Sequence, residues 1–275
     1  MKIDTHIHFW EYHPVKEAWI TEDMKVIQRD FLPKDIAPVL KANNIDGCIA
    51  VQADQSEKET HFLLQLADEN DFIKGVVGWI DFKAPDLEQK LNYFSRFKKL
   101  KGFRHIVEAE SDAGFLLDED FCNGIGMLAK YNYTYDILVS PAQLKTVSEF
   151  VAKFPEQAFV IDHLAKPNIK QADFLFWEKE MRAIALHPNV FCKVSGLVTQ
   201  AEWDSWKTDD FSYCLDVVTA AFGMERLLFG SDWPVSLLAA NYEKSTEIVR
   251  KYYAGFSSDE QDGLWANNAV HFYGL

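Results

Sequence analysis

The chain has 275 residues, 48% of them hydrophobic and 25% charged, which excludes a disordered chain and a fibrous repeat. Its formal charge of −14 argues against a general nucleic-acid role, since phosphate binding needs a positive surface. No apolar run approaches the ~18 residues that a membrane helix requires. Such a length admits one large α/β barrel or two small domains. Cys48, Cys122, Cys192 and Cys214 are far apart and form no C-x-x-C pair. They read as buried free thiols in a reducing compartment, and a strand-like start at Lys2 without a leader pattern makes the cytoplasm the expected location.

In chain order, eight apolar segments bounded by turn residues are predicted as strands: 2–7, 46–52, 73–80, 101–105, 134–139, 158–163, 190–195 and 226–231. Segments of helical periodicity lie between them. Ser56 with Glu59 has the pattern of a capping box, and Ser140-Pro141 places proline where a first helical turn tolerates it. Leu87, Leu91 and Phe94 recur at helical spacing, as do Phe121, Ile125 and Leu128. Regular alternation of strand and helix predicts a parallel sheet, and eight such units predict a single-domain (β/α)8 TIM barrel over 1–275. The one long connection, 9–31, carries Phe9, Trp10, Tyr12, His13, Pro14 and Trp19. It reads as a pocket wall or lid, with an aromatic plug on the barrel mouth as the alternative.

Three polar clusters fall at the ends of predicted strands. In Asp4-Thr5-His6-Ile7-His8, strand alternation places Asp4, His6 and His8 on one face, directed into the barrel, with Ile3, Thr5 and Ile7 toward the helices. The run Asp162-His163-Leu164-Ala165-Lys166-Pro167 ends the sixth strand, and Gly230-Ser231-Asp232-Trp233-Pro234 ends the eighth. Each alone has an ordinary structural reading, a turn or helix cap for Asp232 and a satisfied core imidazole for His163. Together they converge on the C-terminal mouth, where barrel active sites lie. The other strand ends supply Gln52, Trp79, Arg104, His105, Asp136 and Ser195. With Trp10 and Lys166 these are candidate substrate-binding residues for a hydroxylated small molecule. Arg104 is the candidate carboxylate anchor, and Arg104, Lys166 and Lys193 are the cations that could make one cleft locally positive.

Asp-Thr-His-Ile-His at strand one, Asp-His-Leu-Ala-Lys-Pro at strand six, Lys-Val-Ser-Gly-Leu at strand seven and Phe-Gly-Ser-Asp-Trp-Pro at strand eight resemble the amidohydrolase superfamily. Within it, the chain looks like the amidohydrolase-related group that contains sugar-acid lactonases and 2-pyrone-4,6-dicarboxylate lactonase. The resemblance runs from Met1 to about Tyr273, through a closing Asn267-Asn268-Ala269 segment. It implies His6, His8, His163 and Asp232 as catalytic residues, with Asp232 taking a proton from water and the histidines polarising a lactone carbonyl directly or through a metal. Binuclear members use a bridging lysine or glutamate and a strand-five histidine; here strand four ends in Arg104-His105 and strand five carries Asp136. The cofactor expectation is therefore none, or one divalent metal such as zinc on His6, His8, His163 and Asp232.

Hydrolysis of a sugar-acid lactone is the leading reading. A zinc-dependent decarboxylase of the same superfamily is the alternative, and a non-catalytic binding protein on a barrel a remote one. The expected partner is a small molecule, without nucleic acid or membrane, on a monomer or homodimer.

Overall fold

In a computed structural model describing residues 1–275, the eight expected strands are present and all parallel. They are β1 (Ile3–Ile7), β2 (Gly47–Val51), β3 (Ile73–Gly78), β4 (Leu100–Ile106), β5 (Thr134–Leu138), β6 (Phe159–Ile161), β7 (Val190–Val194) and β8 (Leu227–Phe229). Strand order follows chain order. The barrel closes through single bonds rather than a full ladder: Thr5 Oγ1 to the Phe229 carbonyl (2.7 Å), Asp232 N to the His6 carbonyl (2.9 Å) and His8 N to the Trp233 carbonyl (2.8 Å). Closure thus falls between the two segments that carry the strongest sequence signals.

Each strand is followed by a helix: α1 (Pro33–Ala42), α2 (Glu57–Glu69), α3 (Leu87–Phe94), α4 (Glu119–Ile125), α5 (Leu144–Ala152), α6 (Leu175–Ile184), α7 (Ser212–Phe222) and α8 (Tyr242–Tyr252). The apolar stripes read in the sequence face inward; Leu87, Leu91 and Phe94 of α3 are buried, as are Phe121, Ile125 and Leu128. Ser56 caps α2 by accepting from Glu59 N (3.2 Å). The Glu59 side chain does not return to Ser56. Its carboxylate instead accepts from Ala53 N (2.6 Å), Asp54 N (2.9 Å) and Lys16 Nζ (2.6 Å), tying the loop after β2 to the long connection after β1.

Two buried layers result. One lies between strands and helices, and a smaller one fills the barrel: Ile3, Ile49, Val51, Val77, Val160, Phe191 and Leu228. After α8, α9 (Ser258–Asp262) and one π turn lead into α10 (Asn268–Tyr273), whose Ala269, Phe272 and Tyr273 close the floor of that inner layer. Asn268 Nδ2 donates to the Met224 and Leu227 carbonyls (2.7 and 2.8 Å), pinning α10 beneath β8.

One expectation about β1 is corrected. Asp4 pairs with Cys48 and Ile7 with Ala50, so three steps on β1 oppose two on β2, a β-bulge that resets the alternation. Ile3 consequently points into the barrel, and Asp4 points toward α8, where its carboxylate accepts from Tyr242 OH (2.8 Å). It also accepts from Ser231 N (2.9 Å) and His6 N (3.1 Å). Asp4 is a buried fastener of the bulge to β8, while His6 and His8 keep their inward course.

Candidate active site

His6 and His8 leave β1 with their Nε2 atoms 3.1 Å apart. Asp232 follows β8, and its Oδ1 lies 3.5 Å from His8 Nε2, 3.8 Å from His163 Nε2 and 3.9 Å from His6 Nε2. The four side chains that the sequence singled out therefore meet at one point, all buried. His8 Nδ1 lies 2.7 Å from the Val51 carbonyl, which can only accept, so an Nδ1 proton is used there, and Nε2 faces Asp232. Of the two ring nitrogens of His163, Nδ1 contacts Ser195 Oγ (2.9 Å) and Nε2 faces the carboxylate.

The backbone that presents these groups is unusual. His163, Leu164, Ala165 and Lys166 all have φ between 52° and 54°, four successive left-handed residues separated from β6 by Asp162 alone. Asp232 is also left-handed (φ 61°). Each such non-glycine residue costs about 1–2 kcal/mol, so the turn persists because its surroundings hold it. Trp177 Nε1 donates to the Leu164 carbonyl (2.6 Å), and Gly196 (φ 61°) admits the His163 ring where a Cβ would lie 2.7 Å from Nδ1.

Burial lowers the His163 pKa to about 4 and holds His6 well below the usual imidazole range, so both rings are neutral near pH 7. Burial alone would raise the Asp232 carboxyl, but the adjacent His163 and His8 outweigh it and the group stays below the ordinary carboxylate range. The centre at neutral pH holds one carboxylate beside the uncharged rings of His6 and His163.

Above this point opens a cleft of about 570 Å³. His8, His163, Asp232, Arg104 and Lys166 line it, together with Lys16 and Trp19 from the long connection after β1. The expectation of a pocket wall there holds, with a change of residue. Trp10 is fully buried and donates from Nε1 to the Arg29 carbonyl (2.8 Å), supporting the connection from behind.

Other expected substrate contacts do not reach the cleft. Gln52 is buried against β4, donating to the Arg104 carbonyl (3.0 Å). Trp79 and His105 bond each other (3.2 Å), and His105 stacks on Phe115 and meets Glu110 (2.7 Å). Asp136 and Lys193 are sealed inside the barrel as an ion pair of 2.5 Å, below His6 rather than beside the cleft. Arg104 does line the cleft, but its guanidinium is committed to Asp162 Oδ2 (3.0 Å), His6 Nε2 (3.2 Å) and the Gln52 carbonyl. It is no free carboxylate anchor. Lys166 is likewise paired, with Glu108 at 2.6 Å.

Several lining residues were not read from the sequence, among them Lys16, Gln55, Glu108, Gln200 and Trp203. The last four sit in the loops after β2, β4 and β7, so their position beyond a strand end was the available signal.

A parallel barrel whose first, sixth and eighth strands deliver three imidazoles and a carboxylate to the floor of a mouth cleft belongs to a recognisable class of barrel enzyme. The chain belongs to the amidohydrolase family, whose pattern it matches over residues 3–275. It is similar to an L-fucono-1,5-lactonase of Burkholderia multivorans, 39% identical over all of this chain and 96% of that protein. A second L-fucono-1,5-lactonase, from Burkholderia ambifaria, is 33% identical over 99% of this chain and 95% of its own. Among solved structures, an amidohydrolase from Burkholderia multivorans with bound zinc superposes with a TM-score of 0.97 at 39% identity, covering 100% of this chain and 99% of its own. 2,6-Dihydroxybenzoate decarboxylase from Rhizobium shares the fold (TM-score 0.68) at 12% identity over 100% of this chain and 98% of its own.

Proposed function

We propose that this chain is a lactonase that opens the ring of an uncharged sugar-acid lactone, with Asp232 as general base. The observation that carries the reading is the placement of an ionised Asp232 at the floor of the cleft, within 4 Å of three imidazoles. A water held by Asp232 gives it a proton as its oxygen bonds to the carbonyl carbon. Collapse of the resulting tetrahedral species breaks the bond to the ring oxygen, and the proton returns from Asp232 to that oxygen as it leaves. The product is the open hydroxy acid. With Ser195 Oγ donating to its Nδ1, His163 carries its proton on Nε2 and can donate to the carbonyl oxygen as that oxygen gains charge, which lowers the barrier.

The cleft's charges support an uncharged substrate. Each lining cation already has a carboxylate: Lys16 with Glu59, Lys166 with Glu108 and Arg104 with Asp162. A dicarboxylate would have to break one of these pairs. Met24, Ile106, Leu138, Val235 and Leu238 give the cleft an apolar side suited to the methyl of a deoxy sugar. The two lactonase relatives point to a lactone of the same kind.

The donor set also fits one divalent metal. Ligands ~2.1 Å from a tetrahedral zinc stand ~3.4 Å apart, and the edges joining His6 Nε2, His8 Nε2 and Asp232 Oδ1 are 3.1, 3.5 and 3.9 Å. His6, His8 and Asp232 would hold it, beside His163 whose Nε2 lies 3.8 Å from Asp232 Oδ1, and a bound zinc would supply Lewis-acid polarisation.

Proton release measured across a panel of sugar-acid lactones, with wild type and Asp232→Asn in parallel and each with and without a chelator, tests the reading. Turnover of one lactone subset, lowered about 10²–10⁴-fold in the variant, is expected. Silence across the panel, with carbon dioxide released from an aromatic acid instead, would overturn it. The chelator arm separates metal-assisted from metal-free chemistry.

A further inference from the structure

His6 is fully buried and forms no part of the cleft lining, yet two of the other three converging groups lie within 4 Å of its Nε2. Its other nitrogen faces away from the cleft into a sealed set of charges. Lys193 Nζ, from β7, lies 3.2 Å from His6 Nδ1, 2.5 Å from Asp136 Oδ2 and 3.0 Å from Asp162 Oδ1. Tyr273 of α10 donates its hydroxyl to Asp136 (3.0 Å to Oδ2), and Lys193 Nζ lies 5.7 Å from the centre of the Tyr273 ring. A strut thus runs from the barrel floor, through Asp136 and Lys193, to the back of His6.

An ammonium only donates, so its contact with Nδ1 requires a lone pair there, and a neutral His6 then carries its proton on Nε2. That proton points at the lone pair of His8 Nε2, 3.1 Å away, while the His8 Nδ1 proton goes to Val51. Donors and acceptors alternate along the whole line. The contact of Arg104 with His6 Nε2 (3.2 Å) favours the opposite arrangement. So does Asp162 Oδ1, a buried carboxylate oxygen that lies 3.4 Å from His6 Nδ1 as well as 3.0 Å from Lys193 Nζ. Lys193 and Asp162 thus compete for Nδ1, and the alternative to the first arrangement is a second state, in which Nδ1–H turns to Asp162 and both Nε2 atoms face the centre as lone pairs.

We propose that Lys193 is a positioning residue that, against Asp162, sets which nitrogen of His6 carries the proton. With Lys193 dominant, His6 acts as a hydrogen-bond donor at the floor of the centre; with Asp162 dominant, it becomes a ligand able to share a cation with His8. This rests on the reading of His6 as part of the reaction centre. It assigns the buried lysine to the chemistry rather than to charge balance alone.

Removing Lys193 alone leaves an uncompensated buried carboxylate, so Lys193→Met is paired with the charge-neutral double variant Lys193→Met/Asp136→Asn. Nitrogen-15 spectra of the metal-free protein, kcat and KM on the best lactone, and thermal melting are recorded for all three. In wild type the His6 resonances are expected to show the proton on Nε2. In the double variant, melting returns toward wild type, the His6 proton moves to Nδ1, and kcat stays at least ~10-fold down with KM little changed. A double variant with wild-type kcat would reduce Lys193 to charge balance, and a wild-type His6 already protonated on Nδ1 would overturn the proposal outright. If no lactone is turned over at all, the lactonase reading fails while the spectra still decide the role of Lys193.

Discussion

His163 and Asp232 show how much of this site one residue's backbone can hold. Both adopt left-handed dihedrals, and His163 fits only because Gly196 has no side chain facing it. Gly196→Ala is therefore expected to cost about 1–3 kcal/mol and to displace the ring enough to lower kcat about 10²-fold. Melting and steady-state kinetics check it, and unchanged kinetics would mean that His163 tolerates the shift. The histidines themselves were legible in the sequence because two of them end a strand with period two. Asp4 was misread for a physical reason: a bulge inserts one residue without any marker in the local sequence, and everything before it turns to the other face. The commitment of Arg104 to Asp162 was equally hidden, since 58 residues of chain separate partners that meet only because β4 and β6 flank β5 in the curved sheet.

Among the elements, the long connection after β1 is joined to the loop after β2 by a single buried carboxylate. Glu59 accepts from two backbone amides and from Lys16, and Ala53, Asp54 and Lys16 all line the cleft. Glu59→Gln places an amide donor against those donors. A loss of about 1.5–3 kcal/mol in stability is expected, with KM raised about threefold or more and kcat nearly unchanged, because the walls move while the reacting groups do not. A fall in kcat with KM constant would instead tie Glu59 to the chemistry. The eight strands and most helix faces could be read from periodicity. The aromatic connection could not be resolved residue by residue, since Trp10 and Trp19 differ only in which side of an irregular segment they leave, one supporting the wall and the other forming it.

Across the whole molecule, the last helix closes the barrel from below. Phe272 packs into the inner layer and contacts Phe191, with ring centres 4.9 Å apart. Phe272→Ala is expected to destabilise by about 3–5 kcal/mol, read by chemical denaturation, whereas a loss under 1 kcal/mol would show that α10 is not part of the cooperative core. Length and alternation made the barrel foreseeable. The plug was not, because an amphipathic terminal helix has the same pattern whether it covers the outside of a barrel or its floor.

The left-handed turn from His163 to Lys166 also bears on attempts to make the protein hardier. Ala165 sits at φ 54° without a glycine's freedom, so Ala165→Gly should relieve strain and raise the melting temperature, worth roughly 0.5–1 kcal/mol after the entropy that glycine loses. The same relief slackens the support of His163, and turnover should fall as heat resistance rises. Selection for thermal tolerance alone would then favour a sturdier but slower catalyst, so screens of this chain need activity and stability scored together.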